Sequence, residues 1–442
     1  MSRARRTRVL PAPAVAEVER LASDGRGVAR IDGKTVFVDG ALPGESVRFA
    51  YRARRRDFDE GVTVEVLRPS ADRTVPRCAH FDTCGGCSLQ HLDPAAQLRA
   101  KQESLLDNLQ RLGKVQPEAL LEPLSGARWG YRRKARLGVR YVPGKGRVLV
   151  GFREKHSSKV AELSSCEVLI QSVGARLADL AALIGSLSVA EQIPQLEVAA
   201  GDDETALVIR HLHALNDSDM ERLAAFGRQH GLRMFLQSGG PDSVVPLDGG
   251  AGWLDYRLPE YAVEIKFNPT DFAQVHAGMN QRMVARVVEL LALEGGERVL
   301  DLYCGLGNFT LPLARRAGYV VGVEGDAGLV RRARDNARCN GLDNTEFHAA
   351  DLASPEPGAA WLAGRYDRVL LDPPRSGAQA IIPYLKGLKP TRIAYVSCHP
   401  ATLARDAGEL VRGLGYRLVR AGVVDMFPHT AHVESVAIFE RG

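Results

Sequence analysis

The sequence predicts an α/β protein: an open parallel sheet in the C-terminal part, a small β-barrel at the N-terminal end, and a mixed α+β segment between them. Three observations predict it. Strand-like and helix-like runs alternate through residues 268–442, which is the signature of βαβ units and a parallel sheet. Residues 10–68 instead read as short strands broken by the turn dipeptides Asp24-Gly25, Asp32-Gly33 and Pro43-Gly44. A chain of 442 residues is also too long for one hydrophobic core, so two or three domains are expected.

Composition bounds the class. The chain is 45% hydrophobic and 25% charged, as a globular protein is, and it has no apolar stretch long enough to cross a bilayer. Residues Met1 to Arg8 are basic with no apolar run behind them, so they do not read as a secretory signal, and a cytoplasmic location is expected. Seven cysteines, an odd number, argue against a disulfide framework.

The net charge of +5 is unevenly placed: residues 1–77 hold 16 Lys and Arg against 11 Asp and Glu. Residues 128–159 hold 11 Lys and Arg against the single acid Glu154, with Trp129, Tyr131, Tyr141 and Phe152 among them. Clustered cations attract phosphates and interleaved aromatics stack on bases, so an RNA partner is expected.

Three segments follow: 1–70, 71–266 and 267–442. In the first, Val36-Phe37-Val38 and Val62-Thr63-Val64-Glu65-Val66 are strands of a five-stranded barrel with a basic N-terminal tail. Its Ser23-Asp24-Gly25-Arg26-Gly27-Val28-Ala29-Arg30, Phe37-Val38 and Leu42-Pro43-Gly44-Glu45 resemble a TRAM domain, an RNA-binding barrel related in shape to the OB-fold. In the second, Gln97–Leu112 carries a leucine stripe and reads as a helix, and Tyr131–Phe152 reads as strands around Pro143-Gly144-Lys145-Gly146. Residues 171–266 carry mixed signals and no motif. The third has a helix expected over Ala273–Leu291 and strands at 298–303, 319–323, 367–371, 392–397 and near 433–440.

The first strand of the third segment runs into Asp301-Leu302-Tyr303-Cys304-Gly305-Leu306-Gly307-Asn308. Gly305 and Gly307 allow a sharp turn and close approach of backbone to a ligand. Glu324 ends the second strand, 19 residues after Gly305, where a carboxylate accepts both hydroxyls of a ribose. The third glycine of a dinucleotide loop is missing and no phosphate-binding lysine follows, so S-adenosylmethionine fits better than NAD or ATP. Asp351, after the next strand, is placed to reach the adenine edge. Asp372-Pro373-Pro374-Arg375 ends the fourth strand.

Cys398 stands where the apolar run Ala394-Tyr395-Val396-Ser397 stops before Pro400. That is the carboxyl end of a strand, where open α/β sheets bind ligands, and a thiol there is a candidate nucleophile. Carbon 5 of uracil is a poor nucleophile. A thiolate adding to carbon 6 turns it into an enolate that can take a methyl group, after which a base must remove the carbon-5 proton. Glu434, just before the last strand, is the candidate base.

Five motifs carry a family resemblance: Phe272-Ala273-Gln274-Val275-His276, Asp301-Leu302-Tyr303-Cys304-Gly305, Leu371-Asp372-Pro373, Val396-Ser397-Cys398-His399-Pro400 and His432-Val433-Glu434. In this order they resemble the RNA uracil-C5-methyltransferases, in the subgroup that methylates a uridine of 23S ribosomal RNA. The resemblance covers essentially the whole chain. It implies a Rossmann-like domain dependent on S-adenosylmethionine, with Cys398 as nucleophile, Glu434 as base, and Gln274, Tyr303, Asn308, Glu324, Asp351 and Asp372 lining the methyl-donor site. The family usually carries Asn at the positions of His276 and His399.

Cys78, Cys84 and Cys87, with Gly85-Gly86 between the last two, and the distant Cys166 suit either a [4Fe–4S] cluster or tetrahedral zinc. Three ligands within ten residues and a glycine pair favour the cluster, and the family resemblance implies it. The rival functions are the same chemistry on a transfer RNA, cytosine-C5 methylation, and a non-catalytic RNA-binding assembly factor. The expected partner is 23S ribosomal RNA, the expected membrane contact none, and the expected state a monomer.

Overall fold

The computed structural model describes residues 10–442; Arg3, Arg5, Arg6 and Arg8 of the basic tail lie outside the described residues. The chain forms two compact units. One reaches to Lys101 and takes in Pro428–His432; the other comprises Gln102–Phe427 and Val433–Gly442.

In the first unit, five strands close a barrel in the order β1-β2-β3-β5-β4. They are β1 (Ala14–Leu21), β2 (Gly27–Ile31), β3 (Lys34–Asp39), β4 (Ser46–Arg54) and β5 (Phe58–Arg68). Asp32 and Gly33, both at positive φ, make the two-residue turn between β2 and β3, as the twist of an antiparallel pair requires. Alternate residues point inward, so Val36, Val38, Val47 and Phe49 are fully buried. The cysteine-bearing loop follows the barrel and leads to helix α1 (Pro94–Asn108), whose first turn is capped by Asp93 Oδ1 through Ala95 N–H at 2.8 Å. Residues 428–432 are bound within this unit: the His429 carbonyl accepts from Ser88 N–H and Leu89 N–H, both at 2.9 Å, and Gln97 Oε1 accepts from His429 N–H at 2.9 Å.

The second unit begins within α1, at Gln102. Leu109–Gly113 closes with a wider π turn before Lys114 enters the left-handed region, so the helix expected to Leu112 stops its α geometry at Asn108. A short strand β6 (Ala119–Leu120) follows. A six-stranded sheet has the order β12-β11-β10-β9-β7-β8, built from β7 (Lys134–Val142), β8 (Arg147–Gly151), β9 (Gln195–Ala200), β10 (Thr205–Arg210), β11 (Leu232–Gln237) and β12 (Val244–Pro246). Helices α2 (Gln171–Gly174), α3 (Leu177–Gly185) and α4 (Asp217–His230) lie between its strands in sequence, and the hairpin β13 (Leu254–Leu258) and β14 (Val263–Phe267) follows. Residues 171–266, silent as a motif, therefore supply most of this sheet and the hairpin.

The remaining strands are β15 (Arg298–Leu302), β16 (Tyr319–Glu324), β17 (Thr345–Ala349), β18 (Arg368–Leu371), β19 (Arg392–Ser397), β20 (Tyr416–Val424) and β21 (Glu434–Arg441). With β6 they form an eight-stranded sheet, β17-β16-β15-β18-β19-β21-β20-β6. The first five run parallel and β21 runs antiparallel to both neighbours.

Helices α5 (Ala277–Leu291), α6 (Thr310–Ala314), α7 (Ala327–Cys339), α8 (Ile382–Leu388) and α9 (Pro400–Leu414) connect the strands. Alternate residues of the sheet feed two cores. Val299, Leu370, Ala394 and Val436 pack with Met283, Val284 and Val287 of α5, while Leu300, Leu371, Tyr395 and Phe439 pack with Leu385 of α8 and Leu403 and Leu410 of α9. Strand order reverses between β15 and β18, and a ligand crevice belongs at the carboxyl ends of such a pair. Among the described residues no helix is long and apolar enough to cross a membrane.

Candidate active site

The residues singled out from the sequence gather, for the most part, along one edge of the eight-stranded sheet. The loop after β15 is pinned to the neighbouring strand: Tyr303 N–H and Cys304 N–H both donate to the Val323 carbonyl, at 2.8 and 3.1 Å. Tyr303 holds a positive φ of 67°, a strained state for a bulky residue that clusters at functional sites. Glu324 ends β16 with Oε2 accepting from Gly305 N–H at 3.1 Å and Oε1 accepting from Asp326 N–H at 3.1 Å. The glycine turn and the carboxylate expected to accept ribose hydroxyls are thus joined by a hydrogen bond.

Asp301 is buried beneath this loop, where Thr310 Oγ1 donates to its Oδ2 at 2.5 Å. Its Oδ1 has no partner. Burial, with Asp372 and Glu324 nearby, pushes its pKa up to about 8.

Asn308 is held from both ends of its amide. Its Oδ1 accepts from Tyr256 Oη at 3.0 Å and from Asn280 Nδ2 at 2.8 Å, and its Nδ2 donates to Asn280 Oδ1 at 2.9 Å. Its side chain therefore ties the loop to α5 and to the hairpin strand β13. Sequence reading did not single out Tyr256 or Asn280: Tyr256 lies 52 residues away, and no spacing rule joins a hairpin to a loop across that distance.

Gln274 lies half-buried in the segment preceding α5. The helix expected from Ala273 starts only at Ala277, because His276 is its N-cap: Nδ1 accepts from Met279 N–H at 3.3 Å. Its Nε2 donates to the Ala127 carbonyl at 2.8 Å, and its ring stacks on Tyr131 at 4.9 Å. Burial holds its pKa below the usual histidine value. His399 repeats the arrangement on α9, its Nδ1 accepting from Thr402 N–H at 3.4 Å. Both histidines therefore do what asparagine does well, which is to accept the amide hydrogen of the first helical turn.

Cys398 follows β19 and Glu434 opens β21. The antiparallel register ends with Ser397 paired to Ser435, so Cys398 and Glu434 each adjoin that last rung, and Glu434 acts on the thiol as a neighbouring charge. Cys398 is half-buried and Glu434 is 4% exposed. Burial, with Asp372 as a nearby like charge, pushes the Glu434 pKa up to about 8. Asp372 itself is raised to about 7 by burial and by Glu324. Burial, Glu434 and Asp372 raise the Cys398 thiol, and Arg375 opposes them. The edge therefore holds a thiol, a carboxylic acid able to take or release a proton near neutrality, and a cation that favours the thiolate. Asp351 is exposed beyond β17, its Oδ1 accepting from Ala353 N–H at 2.9 Å, and its charge acts on Tyr303.

Residues 254–442 match the family model described as tRNA (Uracil-5-)-methyltransferase, and residues 16–48 match the TRAM domain. A protein of Alkalilimnicola ehrlichii named 23S rRNA (uracil(1939)-C(5))-methyltransferase RlmD is 55% identical over 439 residues, 99% of each chain. The chain belongs to the RNA uracil-C5-methyltransferase family.

A second family member, from Methylococcus capsulatus and bearing the same name, is 53% identical over 434 residues, 98% of each chain. The crystal structure of the Pyrococcus abyssi tRNA (uracil-54, C5)-methyltransferase in complex with S-adenosyl-L-homocysteine superposes with a TM-score of 0.72 at 26% identity, covering 97% of this chain and 100% of that one.

None of the cysteines expected to hold a metal is joined in a disulfide; Cys87 is buried and Cys78, Cys84 and Cys166 are half-buried. Among the described residues no three His, Cys, Asp or Glu side chains are grouped so as to hold a metal ion. The loop itself is ordered by turns: Cys84 N–H donates to the His80 carbonyl at 2.8 Å, and Gly86 N–H donates to Cys84 Sγ at 3.4 Å. Amide-to-sulfur bonding of this kind suits a thiolate ligand.

Proposed function

We propose that this protein transfers a methyl group from S-adenosylmethionine to carbon 5 of a uridine in 23S ribosomal RNA, the uridine-1939 class, through a covalent bond between Cys398 and carbon 6. The observation that carries this reading is that Cys398 and the buried Glu434 adjoin the last paired residues of β19 and β21 and act on one another as neighbouring charges, at the sheet edge that also bears the glycine loop and Glu324.

The Cys398 thiolate adds to carbon 6, breaking the 5,6 double bond and leaving an enolate whose carbon 5 takes the methyl. The methyl donor supplies an electrophilic carbon, and its sulfur leaves with the bonding pair. The Glu434 carboxylate then removes the carbon-5 proton, the double bond re-forms and the thiolate departs. Arg375 stabilises the thiolate before addition, and the flipped base must reach the edge from outside its stack.

Ribosomal RNA bearing 5-fluorouridine at the target has no carbon-5 proton to remove. With S-adenosylmethionine it should trap wild-type protein as a covalent adduct stable to denaturing electrophoresis. Cys398→Ala should bind the same RNA and form no adduct. An adduct with Cys398→Ala would overturn the reading. Mapping methyluridine in 23S RNA from cells with and without the protein assigns the nucleotide.

The reading extends to a [4Fe–4S] cluster with Cys78, Cys84 and Cys87 of the N-terminal unit among its thiolate ligands, which would tie loop backbone together without entering the methyl transfer. The donor chemistry and the Gly86 amide support it. Iron and acid-labile sulfide analysis should find a cluster in wild-type protein and none in Cys84→Ala, whose 78–93 loop should be cut faster by protease; zinc without sulfide would replace the cluster with the tetrahedral alternative.

A further inference from the structure

We infer that Asp406 is a positioning residue, its buried carboxylate binding the strand that ends at Cys398, the helix that follows it and the loop that carries Arg375 into one frame. Asp406 is fully buried on α9. Its Oδ2 accepts from Tyr395 Oη on β19 at 2.7 Å and from Ala378 N–H in the loop after β18 at 2.7 Å. Its Oδ1 accepts from Arg405 Nε at 2.8 Å, and the same guanidinium reaches back to the Ser376 carbonyl at 2.8 Å. Tyr395 Oη also accepts from Ala378 N–H at 3.2 Å. The loop is thus held at Ser376 and Ala378, directly after Arg375.

Gly377 between them has φ +81°, and a Cβ there would come within 2.6 Å of Asp406 Oδ2 and 2.5 Å of the Arg405 guanidinium. The loop can lie on the carboxylate only because that position is glycine. Packing alone does not ask for this charge. The buried face of α9 is otherwise apolar, with Leu403, Ala407 and Leu410, and a buried ion pair is often no more stabilising than apolar residues of similar volume. What the carboxylate supplies is direction: one group with three donors from three chain segments fixes their mutual placement.

The inference rests on the proposed role of Cys398. The charged groups acting on that thiol are Glu434, Asp372 and Arg375, and Arg375 is the one whose loop the clasp holds. Tyr395, Tyr303 and Arg405 are the titratable groups around Asp406 itself.

Asp406→Asn, Tyr395→Phe and Gly377→Ala are compared with wild-type protein in the full chain, with circular dichroism and thermal unfolding to verify folding. In Asp406→Asn, kcat should fall between about tenfold and a hundredfold, the loss that small misplacements produce. KM for RNA should stay within about twofold. The midpoint pH for alkylation of Cys398 by iodoacetamide, read by mass spectrometry of its peptide, should move upward as Arg375 loses its fixed position. Gly377→Ala should do the same, and Tyr395→Phe less.

If Asp406→Asn does not fold, the other two variants decide. An unchanged kcat and alkylation midpoint in the folded variants would overturn the clasp. Cys398→Ala run in parallel separates the two ideas: methyl transfer by that variant sinks the proposed mechanism, whereas the alkylation midpoint judges the clasp either way.

Discussion

Glu434 opens β21 as a carboxylic acid held well above its ordinary pKa, to about 8. The sign of its effect on stability follows. Between pH 4.5 and about 8 the unfolded chain has released a proton that the folded chain keeps, so this group lowers stability as pH rises through that window. Denaturant titrations of wild type and Glu434→Gln at pH 5 and pH 8 should show wild type losing stability relative to the variant at the higher pH. A difference that stays constant would mean the carboxyl titrates normally. In catalysis the ionised form is required, so kcat/KM of wild type should climb with pH on a limb near 8, and Glu434→Gln should accumulate the covalent RNA adduct. The thiol and the base were legible because both adjoin strand ends in a recognisable motif. Asp301 and Asp406 were not singled out, although Asp406 left a trace: it is the charge at the buried position between Leu403 and Leu410 of an otherwise apolar helix stripe.

At the scale of the element, the sequence showed where strands would be and less well how they begin and end. Four of the five parallel strands of the third segment fell where apolar runs predicted them, since buried strands read as continuous hydrophobic stretches, whereas β17, Thr345-Glu346-Phe347-His348-Ala349, carries one buried apolar residue and was not given a range. β20 escaped notice because Arg417 and Arg420 interrupt its apolar residues. The start of α5 was misplaced by four residues, because Ala273 and Val275 fit the helical stripe while His276 is the cap. Histidine caps poorly announce themselves, yet they make a prediction. His399→Asn should keep both stability and activity, since Asn accepts the same amide hydrogen. His399→Ala should lose about 0.5–2 kcal/mol in denaturant unfolding and lower kcat, because the helix it starts carries Asp406. A His399→Ala protein as stable as His399→Asn would remove the cap from the argument.

Across the whole molecule, the basic stretch 128–159 is less available than its count suggested. Arg133 pairs with Asp202 at 2.6 Å, Lys134 and Arg136 with Glu197 at 2.9 and 3.2 Å, and Lys145 and Arg147 both with Glu162. Sequence alone could not reveal this, because the partners come from later segments and only folding brings them in. Arg140, exposed on β7, has no such acid opposite it in the ladder, where it faces Leu149. Arg140→Ala should weaken binding to all RNAs alike and reduce the slope of log K against log salt by about 1. An unchanged slope would place the phosphate contacts elsewhere on the surface.

The five residues Pro428–His432 have a consequence for how the chain is made. They complete the N-terminal unit, yet the ribosome delivers them only after residues 102–427 of the second unit. The amides of Ser88 and Leu89 and the side chain of Gln97 wait for their partner, His429, while residues 102–427 are made. Folding from the first residue onward therefore cannot finish the unit that starts first; it closes only as the strand bearing Glu434 leaves the exit tunnel.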